Sequence, residues 1–590
     1  MKIFALLVLA LLLVGQAGAI SKTSLTELNL TQNMPAALKM GGYKVTGMGA
    51  GTAYGDATNL GQSWGKVNKT GDTMTGALVV LNGTAAGNPP RFSQLMAVTG
   101  KSVVYGQGSD FYGIASNGSL VYSGANLSQA VNTVAATLPT GRKVRADLRL
   151  LATGTLTGKL MVPNYTTLDA TGSTLTVGVN VSDGWNCFTG ILQNSRGFTG
   201  MHDLTKTTAT NKDIEIKGGR WINAASNENM FALNSIDGLY WHDMIVEQAT
   251  SARKGMVVIR SMNVIVERVN FTNMWIMNIA DGAKYVDVRD CDFTNNYDSP
   301  ISMGTGADLG TYQTRNITVS DCDLNGCTEG YGLDFYGDVK GFGAYRNRVS
   351  NMYGSGILIT MDGASRAMPK QGKIIGNVAN NNGLGTAGSG INVYGKSGND
   401  AALVISQNTA NYNNFSGISV GAASNMTITD NVCNANANEG IFIDAEGGIT
   451  TGIIASGNQC HDYGGRQDYG IHLYGTVSYA FDDVVLTGNS VGGNVVAGIS
   501  VAGTKPTTYI VENNVGFVTR NFGLVYLADG GTITHGLAGI PTCIMVMTGT
   551  AGQNAYCTGA DATTATIAIK TYAGAGGTTQ NCQWLAMYKP

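Results

Sequence analysis

MTITDNVCNANANEGIFIDAEGG, Met426 to Gly448, is an alternating strand, a polar corner holding Asn431 and a second Asn, and then a Gly followed by an aliphatic strand. It has no helical period and is too regular for a loop. Nearly the same wording returns along the chain in VIVERVNFTN, VDVRDCDFTN, ITVSDCDLNG, GAYRNRVSN, KIIGNVANN, LVISQNTANY, IIASGNQCHD, VVLTGNSVGG and YIVENNVGF. One corner position runs Val269, Cys291, Cys322, Asn347, Asn377, Asn408, Asn431, Asn458, Asn489, Asn513, at intervals of 22 to 31 residues. Further on in each unit comes a Gly and an aliphatic strand: YGLDF, SGILI, SGINV, SGISV, EGIFI, YGIHL, AGISV, FGLVY. A repeat of this length with several short strands per unit is the signature of stacked coils, and variable spacing is accommodated by loops.

On these residues the chain resembles the right-handed parallel β-helix of pectate-lyase-like proteins and viral tailspikes. The run Asn347, Asn377, Asn408, Asn431, Asn458, Asn489 and Asn513 is similar to that fold's internal asparagine ladder, in which buried amides bond from rung to rung. Cys291 and Cys322 continue the column as small packed thiols. The expected fold class is all-β: a right-handed parallel β-helix solenoid with an N-terminal fibre-like stalk and a small C-terminal β-sandwich-like module.

Composition agrees with a turn-dense β protein: the chain holds 82 Gly in 590 residues, and tight turns and short strands use Gly, Asn and Ser heavily. A net charge of -2 supplies no electrostatic case for nucleic acid. The nine Cys contain no C-x-x-C pair, which argues against zinc; Cys543, Cys557 and Cys582 leave one disulfide open. About eleven N-x-S/T sequons run from Asn29 to Asn425, acceptors only if the host glycosylates secreted proteins.

MKIFALLVLALLLVGQAGA, residues 1–19, has Lys2, an apolar run from Ile3 to Val14 and Ala17-x-Ala19. It reads as a secretory signal peptide, since the run is too short to span a bilayer; no later stretch is long enough to be an integral membrane segment. Residues 20–105 carry the phrase G-T-A-x-G-[DN]-x5-Q twice, from Gly51 and from Gly83. With GGYKVTGM and KTGDTMTGAL they resemble phage tail-fibre repeats, which implies a trimeric stalk. Residues 106–140 are expected to be a linker and a capping helix, with Leu127, Ala130, Val131, Val134 and Leu138 at helical spacing behind Asn126 or Ser128. The β-helix is placed at 141–528 and the C-terminal module at 529–590.

In the resembled fold the strand after the Gly builds the sheet whose outer face binds saccharide. Alternation turns positions +1 and +3 inward and +2 and +4 outward. The outward set includes Asp334 and Tyr336, Leu358 and Thr360, Asn392 and Tyr394, Ser419 and Gly421, Phe442 and Asp444, and His472 and Tyr474; Asp338, Asp362, Lys396 and Glu446 follow at +6. Tyr rings interleaved with carboxylates suit sugars, the ring face covering C–H patches while polar neighbours take hydroxyls. The expected substrate-binding residues are Asp334, Tyr336, Asn392, Tyr394, Lys396, Arg366, His472 and Tyr474.

Hydrolysis needs two carboxyls about 5 to 5.5 Å apart for retention or about 6.5 to 9.5 Å for inversion. Asp338 with Asp362, on adjacent rungs, and Asp444 with Glu446, two apart along the chain, are the candidate catalytic pairs. A lyase would add a Ca²⁺ held by clustered Asp and a basic residue such as Arg366 or Lys396; no other cofactor is implied. The polygalacturonase signatures N-T-D, G-H-D and R-I-K are absent, and RAMPKQGK, Arg366 to Lys373, does not fit the R-x-P-x-x-R of pectate lyases. The resemblance therefore carries the fold and leaves bond cleavage without a signature. The reading is a secreted, cell-surface or virion-surface homotrimer that recognises a polysaccharide or glycan. Its alternatives are a polysaccharide lyase or glycoside hydrolase, and a structural envelope protein.

Overall fold

The computed structural model describes residues 100–178, 190–194, 211–224, 229–249, 255–304, 313–361, 367–395, 400–445, 448–476, 478–479, 481–506 and 508–590. The expected signal peptide and stalk repeats, up to residue 99, lie outside the described residues. Among those described, strands form a 23-stranded sheet, a 13-stranded sheet and two three-stranded sheets. The two large sheets are the faces of a right-handed parallel β-helix.

Three in-register apolar rows point into the coil and make its core. One runs Ile214, Leu239, Val264, Val286, Ile317, Phe342. A second runs Leu175, Trp221, Val246, Phe271, Phe293, Leu324, Val349. The third, on the 13-stranded sheet, runs Ile279, Met303, Phe335, Ile359, Val393, Val420, Ile443, Leu473. All are buried. A strand repeats its facing every second residue, so parallel in-register stacking puts like upon like, as in the Phe271–Phe293 stack at 4.6 Å.

The helix Leu127–Ala136 packs on the first strands. Asn126 is its N-cap, its side chain accepting from the Gln129 N–H, and Leu127, Ala130, Val131 and Val134 are buried. Without this helix the side chains of Val104, Phe111 and Leu150, which share its buried cluster, would meet water.

The corner column is a hydrogen-bonded ladder. The Asn347 N–H and Nδ2 both donate to Asn377 Oδ1, at 2.9 and 3.0 Å, and its Nδ2 also donates to Val319 O at 2.9 Å. The pattern repeats through Asn408, Asn431, Asn458 and Asn489. It ends on Asn514, to which the Asn489 N–H and Nδ2 donate at 2.9 Å; the expected last member, Asn513, is the corner residue before it. The reason is conformational: the residue ahead of each ladder position takes a left-handed φ, as do Arg346, Gly376, Gln407, Asp430, Gly457, Gly488 and, at +56°, Asn513. Asn suits both sites, so the pair Asn513-Asn514 reads ambiguously.

A second ladder runs Asn382, Asn413, Asn436, Gln467 and Asn494. Asn382, Asn413 and Asn436 each stand within two residues of other Asn, and Gln467 replaces Asn in the fourth place, so the separate column is concealed. Among the described residues Cys291 and Cys322 are buried free thiols, and Cys543, Cys557 and Cys582 are also free.

The C-terminal module is two antiparallel three-stranded sheets, Arg520–Leu527 with Gln580–Met587 and Cys543–Thr548, and Gly531–Thr534 with Thr564–Thr571 and Gln553–Ala560. FGLVY therefore belongs to this module and not to the coil. Its Gly-aliphatic wording fits either kind of strand, since alternation does not distinguish parallel from antiparallel partners.

Removing Asn431 leaves the Asn408 N–H and Nδ2 without their buried acceptor, a loss of about 3 kcal/mol. Asn431→Ala and Asn514→Ala should each lower the denaturation midpoint, whereas Asn513→Gly, which keeps the left-handed corner, should stay within about 0.5 kcal/mol of wild type. Urea unfolding of the three variants checks the ladder and its terminus.

Candidate functional site

The Gly-led strands stack as the 13-stranded sheet, and their register decides which side chains meet. One outward row is Ser302, Asp334, Leu358, Asn392, Ser419, Phe442, His472; the other is Gly304, Tyr336, Thr360, Tyr394, Gly421, Asp444, Tyr474. Between them opens a concavity of about 500 Å³, lined by Tyr331, Asp334, Tyr336, Leu358, Thr360, Met361, Asn392 and Tyr394. Asp334, Tyr336, Asn392 and Tyr394 are thus brought together.

Two glycines shape the opening. A Cβ on Gly304 would lie 2.3 Å from the Tyr336 ring, so that ring rests on the backbone of the preceding rung. A Cβ on Gly421 would meet Tyr394 Cδ2 at 3.6 Å, so that ring edge reaches toward the following rung. The rings lean apart, and the small Thr360 between them leaves a gap two rungs wide, about 10 Å. Gly304 and Tyr331 are absent from the expected site, because neither stands at +2 or +4 of a Gly-led strand. Leu358 and Ser419, expected to face outward, are buried at 6% and 8% exposure.

Asp334 is the electrostatic centre. Its Oδ2 accepts from Ser302 Oγ at 3.3 Å, while its buried Oδ1 finds no hydrogen-bond partner among the described residues. Burial, partly opposed by the Ser302 hydroxyl and reinforced by the Asp298 carboxylate, pushes its carboxyl up to about 7. Near neutral pH the groove therefore holds a carboxylic acid able to donate as well as accept.

Farther along the sheet, His472 Nδ1 lies 3.4 Å from Glu439 Oε1, and Glu439 Oε2 accepts from Ser416 Oγ at 2.7 Å. Phe442, Tyr469 and Tyr474 surround the His472 ring. Asp444 sits between Gly421 and Tyr474 in its row. His472, Tyr474 and Asp444 form a separate cluster beyond the concavity. Asp338 occupies the turn after Leu333–Tyr336 and accepts from Gln313 Nε2; it does not line the concavity. Asp362, Arg366, Lys396 and Glu446 lie outside the described residues, and with them one member of each expected carboxyl pair. Among the described residues no group of three or more His, Cys, Asp and Glu is placed to hold a metal ion.

Residues 346–534 match the family model described as the right-handed beta helix region. Among curated proteins none matches the sequence. Similar solved structures include the tailspike protein of Pseudomonas phage LKA1, 13% identical over 78% of this chain and 93% of that one, with a TM-score of 0.46. The tailspike protein of E. coli bacteriophage HK620, in complex with a pentasaccharide, is 9% identical over 79% of this chain and 90% of that one, with a TM-score of 0.42. The A-module of a mannuronan C-5 epimerase of Azotobacter vinelandii is 13% identical over 66% of this chain and 95% of that one, with a TM-score of 0.43.

The Asp334 proton makes a testable statement about stability. The folded carboxyl keeps its proton to about pH 7, whereas an unfolded aspartate loses it near pH 4, at about 3.9. Between those values the native state binds more protons, so its stability falls as pH rises. Asp334→Asn should remove that slope: the wild-type melting temperature, relative to the variant, declines from pH 4 to pH 7.

Proposed function

We propose that this protein recognises a polysaccharide through the outer face of its 13-stranded sheet. The observation that carries the reading is the pair Tyr336 and Tyr394, leaning apart over Thr360 with Asp334 and Asn392 beside them. A sugar ring has an apolar C–H face and a rim of hydroxyls. Tyrosine rings bury the first, and a carboxylic acid, an amide and a threonine hydroxyl pair with the second. The sites lie on strands of a stacked sheet, so little order is lost on binding.

The N-terminal phrases that resemble tail-fibre repeats support display on a cell or virion surface as a fibre of three copies, with the leader-like residues 1–19 supporting export. Such a fibre would multiply a weak single-site affinity by presenting several grooves to one polymer.

A second reading, a polysaccharide lyase or glycoside hydrolase, is favoured by the same Asp334. A carboxyl that stays protonated near neutrality beside a bound sugar is what a general acid requires. In that case Asp334 protonates the leaving oxygen, and Asp334→Asn abolishes cleavage while retaining binding.

Binding of wild-type protein to a panel of bacterial envelope and matrix polysaccharides tests both readings. Tyr336→Ala and Tyr394→Ala should each weaken binding about tenfold. Gly304→Val should do the same without touching ligand, by displacing the Tyr336 ring. Tyr463→Ala, an 85% exposed tyrosine off this sheet, should leave binding unchanged. New reducing ends or unsaturated uronate, lost in Asp334→Asn, would establish the second reading; equal binding by wild type and both Tyr variants would overturn the groove.

A further inference from the structure

The strand Arg520–Leu527 alternates in an unusual way. Val525 turns into the module and packs with Ile544, Val546, Cys582 and Trp584 around Ile533, Ile567 and Ile569. The opposite face of a sheet at the protein surface should then be polar. Instead it carries Phe522, Leu524 and Tyr526, exposed at 78%, 66% and 67%, with Met545 and Met547 at 53% and 64% across the sheet. Register places Phe522 and Met545 on either side of Leu585, and Leu524 and Met547 on either side of Gln583.

Phe522, Leu524, Met545 and Met547 wall a trough of about 580 Å³ whose floor includes the side chains of Gln583 and Leu585. The sheet is apolar on both sides, and only one of them is covered.

Three features say what covers the other. The face sets five large apolar side chains side by side, Phe522, Leu524, Tyr526, Met545 and Met547, each more than half exposed, a contiguous patch of the kind that marks an interaction surface. It carries almost no charge: Asp529 and Lys570 pair with each other at 2.6 Å on the strands of the other sheet and its lead-in, and Arg520 stands at a corner. Identical copies can therefore approach without like-charge repulsion, and a charged partner gains nothing. The surface also holds its own complement, because the ridge of Phe522, Leu524 and Tyr526 stands beside the trough. We propose that copies of this chain associate through this face, the ridge of one entering the trough of the next, which closes a ring when the rotation permits. This contact is independent of the glycan reading and lies at the opposite end of the chain from the stalk repeats.

The test uses the full chain and two readouts: mass by sedimentation velocity, and a hydrogen peroxide pulse followed by peptide mass spectrometry at Met545 and Met547. Their oxidation is scaled between Met230, fully buried, and the urea-unfolded chain. Self-association predicts an oligomer in which both methionines oxidise at least about tenfold more slowly than unfolded chain. It also predicts that Phe522→Ser with Leu524→Ser restores rapid oxidation while the melting temperature of the β-helix holds. Rapid oxidation in wild type overturns the proposal even where the chain is oligomeric, because the copies then meet elsewhere. Slow oxidation in a monomer also overturns it, since another segment of the same chain then covers the face. Polysaccharide binding is measured on the same samples, so loss of the contact is distinguished from loss of the groove.

Discussion

One side-chain carbonyl accepting two hydrogen bonds from the rung before it is the constraint on which the rest of the protein depends. Each ladder Asn takes the backbone N–H and the Nδ2 of its predecessor, then passes its own Nδ2 to its successor and to a backbone carbonyl. A corner must turn the chain and so cannot keep all its backbone groups in a sheet; buried, those groups would be costly. From Asn347 to Asn514 the amide column satisfies them rung by rung. It works only if each Asn stands at the same place in its coil, which is why loops vary in length and the corner does not.

That constraint reaches the groove through register. With the corners fixed, Leu333, Ile357, Ile391, Ile418, Ile441 and Ile471 stack. The outward residues one position later must stack as well. A shift of a single residue would turn Asp334, Tyr336, Asn392 and Tyr394 into the core. Placement of the site is therefore a consequence of how the interior is satisfied, whereas its chemistry depends on side chains the interior does not need. Asp334 shows the difference: the coil tolerates a half-buried carboxyl there at a cost to stability, and what it gains is a proton donor near neutral pH.

Much of the fold is legible in the sequence because its determinants are local and repeated. Seven corner positions, eight Gly-aliphatic strands and the alternation after them can be stacked by eye, and the capping helix announces itself by spacing and by Asn126. Legibility fails where two structural needs accept the same residue. Asn513 and Asn514 both suit a corner, one for its left-handed backbone and one for its amide, and FGLVY suits a parallel or an antiparallel strand. The site was readable as two outward rows and not as a concavity. That requires knowing that the Tyr336 ring lies on Gly304 and that Tyr394 leans the other way, relations between rungs that no single repeat contains. The Oδ1 of Asp334, without a partner among the described residues, and the second apolar face of the C-terminal sheet are likewise properties of packing.

The most direct measurement of the central claim is hydrogen–deuterium exchange of the full chain with and without a saturating polysaccharide that it binds. Recognition by this groove predicts slower exchange confined to peptides covering Tyr331–Tyr336, Ile357–Met361 and Ile391–Gly395, with the ladder corners and the C-terminal module unchanged. Slowed exchange confined to any other surface, with these three rungs unaffected, would contradict it.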